Sequence, residues 1–204
     1  MRIVKIENSK HVQERVLVYL EEGDPLRITS HELLQCGVYQ GMDLSPAVVV
    51  QLQASGKRSE SRVKAARLAS GRMLSRKELM DRLERKGIDL DTAEETADWL
   101  EELGAVDDAA YAGVIARHYG GSYGPGRVRQ ELQKRGIPRE LWDDALAQLP
   151  DSAGTIDAFL QSKLKGKAPD RTTLKKLSDT LLRRGFSWQD IRPALNRLGE
   201  EIDE

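Results

Sequence analysis

The residues in this chain best suited to chemistry are cations. Arg85-Lys86, Lys134-Arg135 and Arg183-Arg184 each stand directly before a glycine, and those glycines, Gly87, Gly136 and Gly185, recur at intervals of 49 residues. An apolar residue follows each one: Ile88, Ile137 and Phe186. Paired bases at a fixed interval suit phosphate groups or an acidic protein surface, through counterion release and electrostatic steering. More bases accompany them: Arg76, Lys77 and Arg82; Arg127 and Arg129; Lys175 and Lys176. Complementing a helix dipole would explain one exposed pair, at about 0.3–1 kcal/mol per group. Three pairs in register favour a row of cationic patches.

Other chemistries find little support. His11, His31 and His118 are scattered and lack metal-ligand spacing with carboxylates or with Cys36. Cys36 is expected to be a small core residue rather than a nucleophile. The glycine-rich stretch 120–124 follows no strand and precedes no Lys-Ser/Thr, so it is a helix connector and not a phosphate-binding loop. Trp99, Trp142 and Trp188 are out of repeat register, and packing is the expected role of each. The chemistry is therefore binding rather than catalysis, with no cofactor and no metal.

The elements that must position these bases follow from the same interval. A base in a last helical turn, a glycine at the left-handed position and an apolar residue after it describe a helix stop. The apolar residue should touch Leu83, Leu132 or Leu181, five places back in each case. Each stop is the end of the middle helix of a three-helix repeat. In register, Leu79, Val128 and Leu177 match, as do Ala97, Leu146 and Leu195, and Leu100, Leu149 and Leu198. Ser75, Gly124 and Thr173 are the expected caps of the middle helices. Asp91-Thr92-Ala93-Glu94 reads as the box opening the third helix of repeat one, with Ala97, Leu100 and Leu103 inward. Val63, Ala66, Ala69 and Met73 are the expected inner face of its first helix. In repeat two Asp107-Asp108 open the first helix, and Tyr111, Val114 and Ile115 face the core. The stretch 141–149 supplies its third helix. Repeat three carries Ile156, Phe159, Leu160 and Leu164, and Ser187 caps its last helix.

Upstream, residues 3–6, 15–20 and 26–29 are β-branched and partly alternating, as short strands are. A helix over 30–35, capped by Ser30 and stopped at Gly37, should cover the small sheet. Ser45-Pro46 opens a helix through about Leu52, and Gly56 punctuates. The expected fold is mainly α: three tandem three-helix repeats preceded by a small α+β segment with a short antiparallel sheet. The divisions are 1–55 for that segment, then 56–105, 106–150 and 151–204 for the repeats.

Hydrophobic residues make up 39% and charged residues 32% of the 204, with a formal net charge of −1. That neutrality hides segregation. Residues 57–87 are strongly basic and 88–110 carry acids only; basic and acidic stretches then alternate down to an acidic 198–204. The acidic third helix of repeat one would repel phosphates, which argues against sequence-specific groove reading. One cysteine fits a reducing compartment. No signal core opens the chain and no apolar run approaches the roughly 20 residues of a membrane helix. The expectation is a cytoplasmic monomer.

The stretch Asp107-Asp108-x-x-Tyr111-Ala112, with Arg117, then Gly124-Pro125-x-Arg127-Val128-x-x-Glu131-Leu132-x-x-x-Gly136-Ile137, resembles the RecX family of recombination regulators. The likeness covers about 59–198 and is most specific over 107–149. It implies three-helix units in an elongated, curved arrangement. It also implies a non-enzymatic partner of the RecA recombinase filament on single-stranded DNA, inhibiting ATP hydrolysis, strand exchange and co-protease function. Carried over by motif are Arg117, Gly124, Arg127, Leu132, Lys134, Arg135, Gly136 and Ile137. Ser122-Tyr123 departs from the pattern. Two other readings stay open: a general nucleic-acid-binding helical repeat acting without a recombinase, and a protein-only adaptor working through the acidic faces.

Overall fold

A computed structural model describes residues 1–12 and 14–200, the last two by backbone alone; the acidic end 201–204 lies outside the described residues. The chain is mainly helical. Three strands, β1 (Ile3–Asn8), β2 (Arg15–Leu20) and β3 (Leu26–Thr29), form an antiparallel sheet in the order β1-β2-β3. In β2 the expected alternation holds: Val16, Val18 and Leu20 point inward. Helix α1 (Ser30–Gln35) follows. Its cap is Thr29, one residue before the expected Ser30, in a reciprocal box with Glu32.

Helix α2 (Pro46–Gly71) corrects the reading of residues 52–59. It starts as expected, with Ser45 as cap and Pro46 in the first turn, but runs unbroken for 26 residues. Gly56 does not end it. That glycine is buried where α2 crosses β3, and a Cβ there would overlap the Arg27 carbonyl oxygen. Close backbone approach, not chain flexibility, explains the glycine. Glu32 on α1 accepts hydrogen bonds from Ser55 and Ser59 of α2. Burial opposes its charge, yet hydrogen bonds from Ser55, Thr29 and Ser59 outweigh that and hold the carboxyl below the usual range.

The first half of α2 covers the sheet, with Val49 and Leu52 in a core with Ile3, Val18, Leu26 and Ile28. Its second half meets α4 (Leu90–Glu102), where the buried Ser61 and Thr96 hydroxyls hydrogen-bond at 2.8 Å. The inner face there is Ser61 and Ala65, not the expected Val63 and Met73, which are exposed. The shift follows from α2 being one continuous helix whose face is set by Gly56. Helix α4 is capped by Asp89, two residues before the expected Asp91. Ala97 and Leu100 are buried as expected, but Leu103, the C-cap residue, is exposed.

Two compact units result. One holds residues 1–72 and 79–105; the other holds 73–78 and 106–204. Helix α3 (Arg76–Glu84) contributes its first turn to the second unit and the rest to the first. Repeat two consists of α5 (Asp108–Gly120), α6 (Pro125–Lys134) and a short third element, a 3-10 turn Arg139–Leu141 leading into α7 (Trp142–Leu146). Tyr111 and Ile115 are buried; Val114 is exposed, against expectation. Repeat three consists of α8 (Ser152–Leu164), α9 (Arg171–Arg183) and α10 (Trp188–Glu200). Asp170 caps α9, so this middle helix starts a turn before the expected Thr173. Ser187 caps α10 in a box with Asp190.

This packing sets the sign of a glycine substitution. Gly→Ala inside an exposed helix normally stabilises by about 1 kcal/mol. Gly56→Ala should instead destabilise by about 3 kcal/mol, the cost of forcing overlap in a packed site, read as a lower urea midpoint. Separately, hydrogen bonds from Thr92 and Thr173 hold the Asp89 and Asp170 carboxyls below the usual range. Their contribution is present above the ordinary aspartate value of about 3.9 and is lost as pH falls through the lower folded values. Asp89→Asn and Asp170→Asn should flatten this acid limb in pH-dependent melting while changing the neutral-pH melt little, since asparagine also caps.

Candidate binding surface and the repeat joints

The three basic-glycine turns close alike. Gly87, Gly136 and Gly185 adopt φ of 80°, 68° and 86°. The amides of Ile88, Ile137 and Phe186 donate to the carbonyls of Leu83, Leu132 and Leu181 at 3.1, 3.1 and 3.2 Å. The glycine amides donate to Glu84, Gln133 and Leu182. This is the expected double-bonded helix stop, with its leucines wholly buried.

What the turns touch differs. The turn ending α9 presses on the start of α6, which has no side-chain cap. Gly124 N–H donates to the Arg184 carbonyl and Gly126 N–H to the Gly185 carbonyl, both at 2.9 Å. Orphan donors of one helix thus satisfy orphan acceptors of another, with opposite dipole ends apposed. Arg184 completes this joint. Its guanidinium donates to the Ser122 carbonyl at 3.1 Å and lies 4.4 Å from the Phe159 ring centre.

The turn ending α6 presses on the first turn of α3. Ser75, fully buried, caps α3 by accepting from Glu78 N–H at 3.0 Å and donates its own hydroxyl to the Arg135 carbonyl. Arg135 pairs with Glu78 at 3.6 Å and donates to Tyr111 Oη at 2.6 Å. Burial works against its charge, but Tyr111 and Glu78 outweigh it and raise its pKa. Asp108 accepts from Arg76 N–H at 2.9 Å, and burial pushes its carboxyl up despite that bond.

The bases therefore fall into two columns. The residue next to the glycine, Arg135 or Arg184, is half-buried in a joint, whereas its counterpart Lys86 is exposed. Beside Gly87 a Cβ would meet nothing within 4 Å. One place earlier, Arg85, Lys134 and Arg183 are exposed in every repeat. Of the other expected binding residues, Arg129, Lys175 and Lys176 are exposed, and so is Arg117, which donates to Gln148 at 3.1 Å. Arg127 is paired at 2.8 Å with Glu131, which is only 4% exposed. Arg76 and Arg82 are half-buried, and Lys77 is exposed, its side chain lying over Gly136.

Sequence reasoning missed Ser75, Ser122, Tyr123 and Phe159 as joint residues. Ser75 and Ser122 meet the joint through carbonyl groups, for which side-chain identity carries no signal, and Tyr123 and Phe159 meet it through the Arg184 guanidinium. Cys36 is exposed rather than in the core, and Trp188 is 52% exposed rather than packed. Trp99 lies under Arg62, and Trp142 donates its indole N–H to the Ile137 carbonyl. Among the described residues no group of three or more His, Cys, Asp or Glu could hold a metal ion. Nor is any helix there long and apolar enough to cross a membrane.

Three-helix repeats whose middle helices stop at glycine define a helical repeat protein. Residues 62–100 match the first three-helix domain of RecX and residues 107–146 the second. The chain is 30% identical over 213 residues to the regulatory protein RecX of Lactobacillus delbrueckii subsp. bulgaricus, spanning all of this chain and 78% of that one. It is 30% identical over 208 residues to that of Bacillus pumilus, spanning 99% and 79%. A crystal structure of a regulatory protein RecX shares the fold, with a TM-score of 0.74 at 22% identity over 96% of this chain and 98% of that one. RecX from Lactobacillus salivarius superposes with a TM-score of 0.64 at 25% identity, over 70% and 97%. The chain belongs to the RecX family.

The joints predict an order of glycine substitutions. Both Gly136→Ala and Gly185→Ala incur the left-handed penalty of about 1–2 kcal/mol. At Gly136 the new methyl meets Lys77, whose Cγ and Cδ can swing aside and whose Cβ must give by a few tenths of an ångström; at Gly185 it meets the Arg127 backbone nitrogen, which cannot swing aside. Gly185→Ala should therefore cost about 1–3 kcal/mol more, measured by urea denaturation.

Proposed function

We propose that this chain binds the RecA filament assembled on single-stranded DNA and inhibits its ATP hydrolysis, strand exchange and co-protease function. It does so as a cytoplasmic monomer that modulates the filament without catalysing a reaction itself. Membership of the RecX family supports the class of partner. The observation that carries the surface is the column Arg85, Lys134 and Arg183, exposed in all three repeats while the adjacent base is absorbed by joints in two of them. Nothing in the joints requires a base at that column. Arg129, Lys175 and Lys176 add exposed positive charge on the same two middle helices, α6 and α9. Several weak phosphate or carboxylate contacts then act together as avidity.

The test is the ATPase rate of RecA on single-stranded DNA with increasing amounts of this protein. The wild-type chain should lower the rate. The triple variant Arg85→Ala, Lys134→Ala, Arg183→Ala should need at least about ten times more protein for the same effect. If those bases meet phosphates, the slope of log affinity against log salt should fall by about 2, at roughly 0.7 for each single-strand phosphate that the variant no longer neutralises. An unaltered ATPase rate with the wild-type chain would remove the proposal. Salt-sensitive DNA binding without any effect on the filament would instead favour a general nucleic-acid-binding role.

A further inference from the structure

The loop between α5 and α6 holds an aromatic ring that the joint does not bury. Tyr123 is 36% exposed. Its position is nonetheless defined. The Tyr123 amide donates to the Tyr119 carbonyl at 2.9 Å, and the two rings meet edge to face with centres 5.7 Å apart. The Arg184 guanidinium lies 5.6 Å from the Tyr123 ring centre. That guanidinium is itself held by the Ser122 carbonyl and the Phe159 ring. The exposed His118 ring continues the series, 4.9 Å from Tyr119 and nearly perpendicular to it. Exposed cations adjoin both ends in the chain: Arg117 beside His118, and Arg183 beside Arg184.

We propose that Tyr123, braced by Arg184 and Tyr119, is a stacking shelf for an unpaired base of single-stranded nucleic acid. The inference rests on the single-strand contact proposed above and gives it a residue. A pre-positioned ring with solvent access beside a guanidinium suits a strand, because every base offers a π-face and every linkage a phosphate. The Arg184 guanidinium against the ring disfavours a basic peptide there. Covering Arg184 in the joint would need only apolar bulk, which leucine supplies. The flat ring at an exposed place is what the joint leaves unexplained.

The experiment compares two fluorescein-labelled strands of about 15 nucleotides, one of thymidine and one abasic, with identical phosphates. Binding to the full chain is followed by anisotropy. Stacking on one shelf should make the wild-type chain favour the thymidine strand by about 5-fold or more, equivalent to the roughly 1–3 kcal/mol of one stacked base. The preference should persist when salt is raised from about 50 to about 200 mM, although both affinities fall. Tyr123→Leu should bind both strands equally, and Tyr123→Phe should keep the preference. Equal binding of the two strands by the wild-type chain overturns the shelf, and so does a preference that survives in Tyr123→Leu. The wild-type comparison does not depend on any variant folding. Equal binding of the two strands with filament inhibition intact rejects the shelf alone; a base preference in a chain that leaves RecA activity unchanged rejects the filament reading and keeps the shelf.

Discussion

The second unit is organised by a contact between helix ends. Each α-helix leaves amide donors unsatisfied at its start and carbonyl acceptors unsatisfied at its finish. Where α9 ends and α6 begins, these two deficits cancel: the Arg184 and Gly185 carbonyls receive the Gly124 and Gly126 amides. Such an exchange demands backbone-to-backbone approach, which is why glycine occupies both sides. It also brings opposite dipole ends together, so repeat three stabilises repeat two beyond any apolar burial between them.

The same arrangement divides labour among residues that the repeat makes formally equivalent. Arg135 and Arg184 stabilise the joints through Glu78, Tyr111, Ser122 and Phe159. Lys86 has the same place in the first repeat and is exposed. A base at this column thus complements a helix dipole in every repeat and builds a joint in two of them. The column one place earlier carries charge outward in all three, and it is the one left available to a polyanion. Duplicated sequence has been put to two uses by a single helical step of about 100°.

In the first unit the controlling feature is the length of α2. Because the helix continues through Gly56, the sheet and the first repeat share one structural member. The N-terminal segment is therefore packed as part of that unit through Val49, Leu52 and the Glu32 hydroxyl network. The continuous helix also decides which of its residues turn inward further on, burying Ser61 and Ala65 and leaving Val63 and Ala66 outside.

Period, composition and local capping chemistry are enough to establish the three short strands and the three glycine-stopped helices with their buried leucines; the resemblance to the RecX family rests on the particular residues of 107–137. Those features arise from interactions within a few residues, or from a pattern repeated at a fixed interval. Caps are less legible: Thr29, Asp89 and Asp170 serve where Ser30, Asp91 and Thr173 are expected, since several adjacent residues can accept the same amide hydrogen bond. Gly56 shows the larger limit. A glycine that ends a helix and a glycine that lets a strand cross one are the same letter, and only the position of Arg27 distinguishes them. The fates of Lys86, Arg135 and Arg184 are likewise undecided by residue type. Whether a cation faces solvent or closes a joint depends on what the fold sets against it: Glu78 and Tyr111 for Arg135, the Ser122 carbonyl and the Phe159 and Tyr123 rings for Arg184, all brought from elsewhere in the chain.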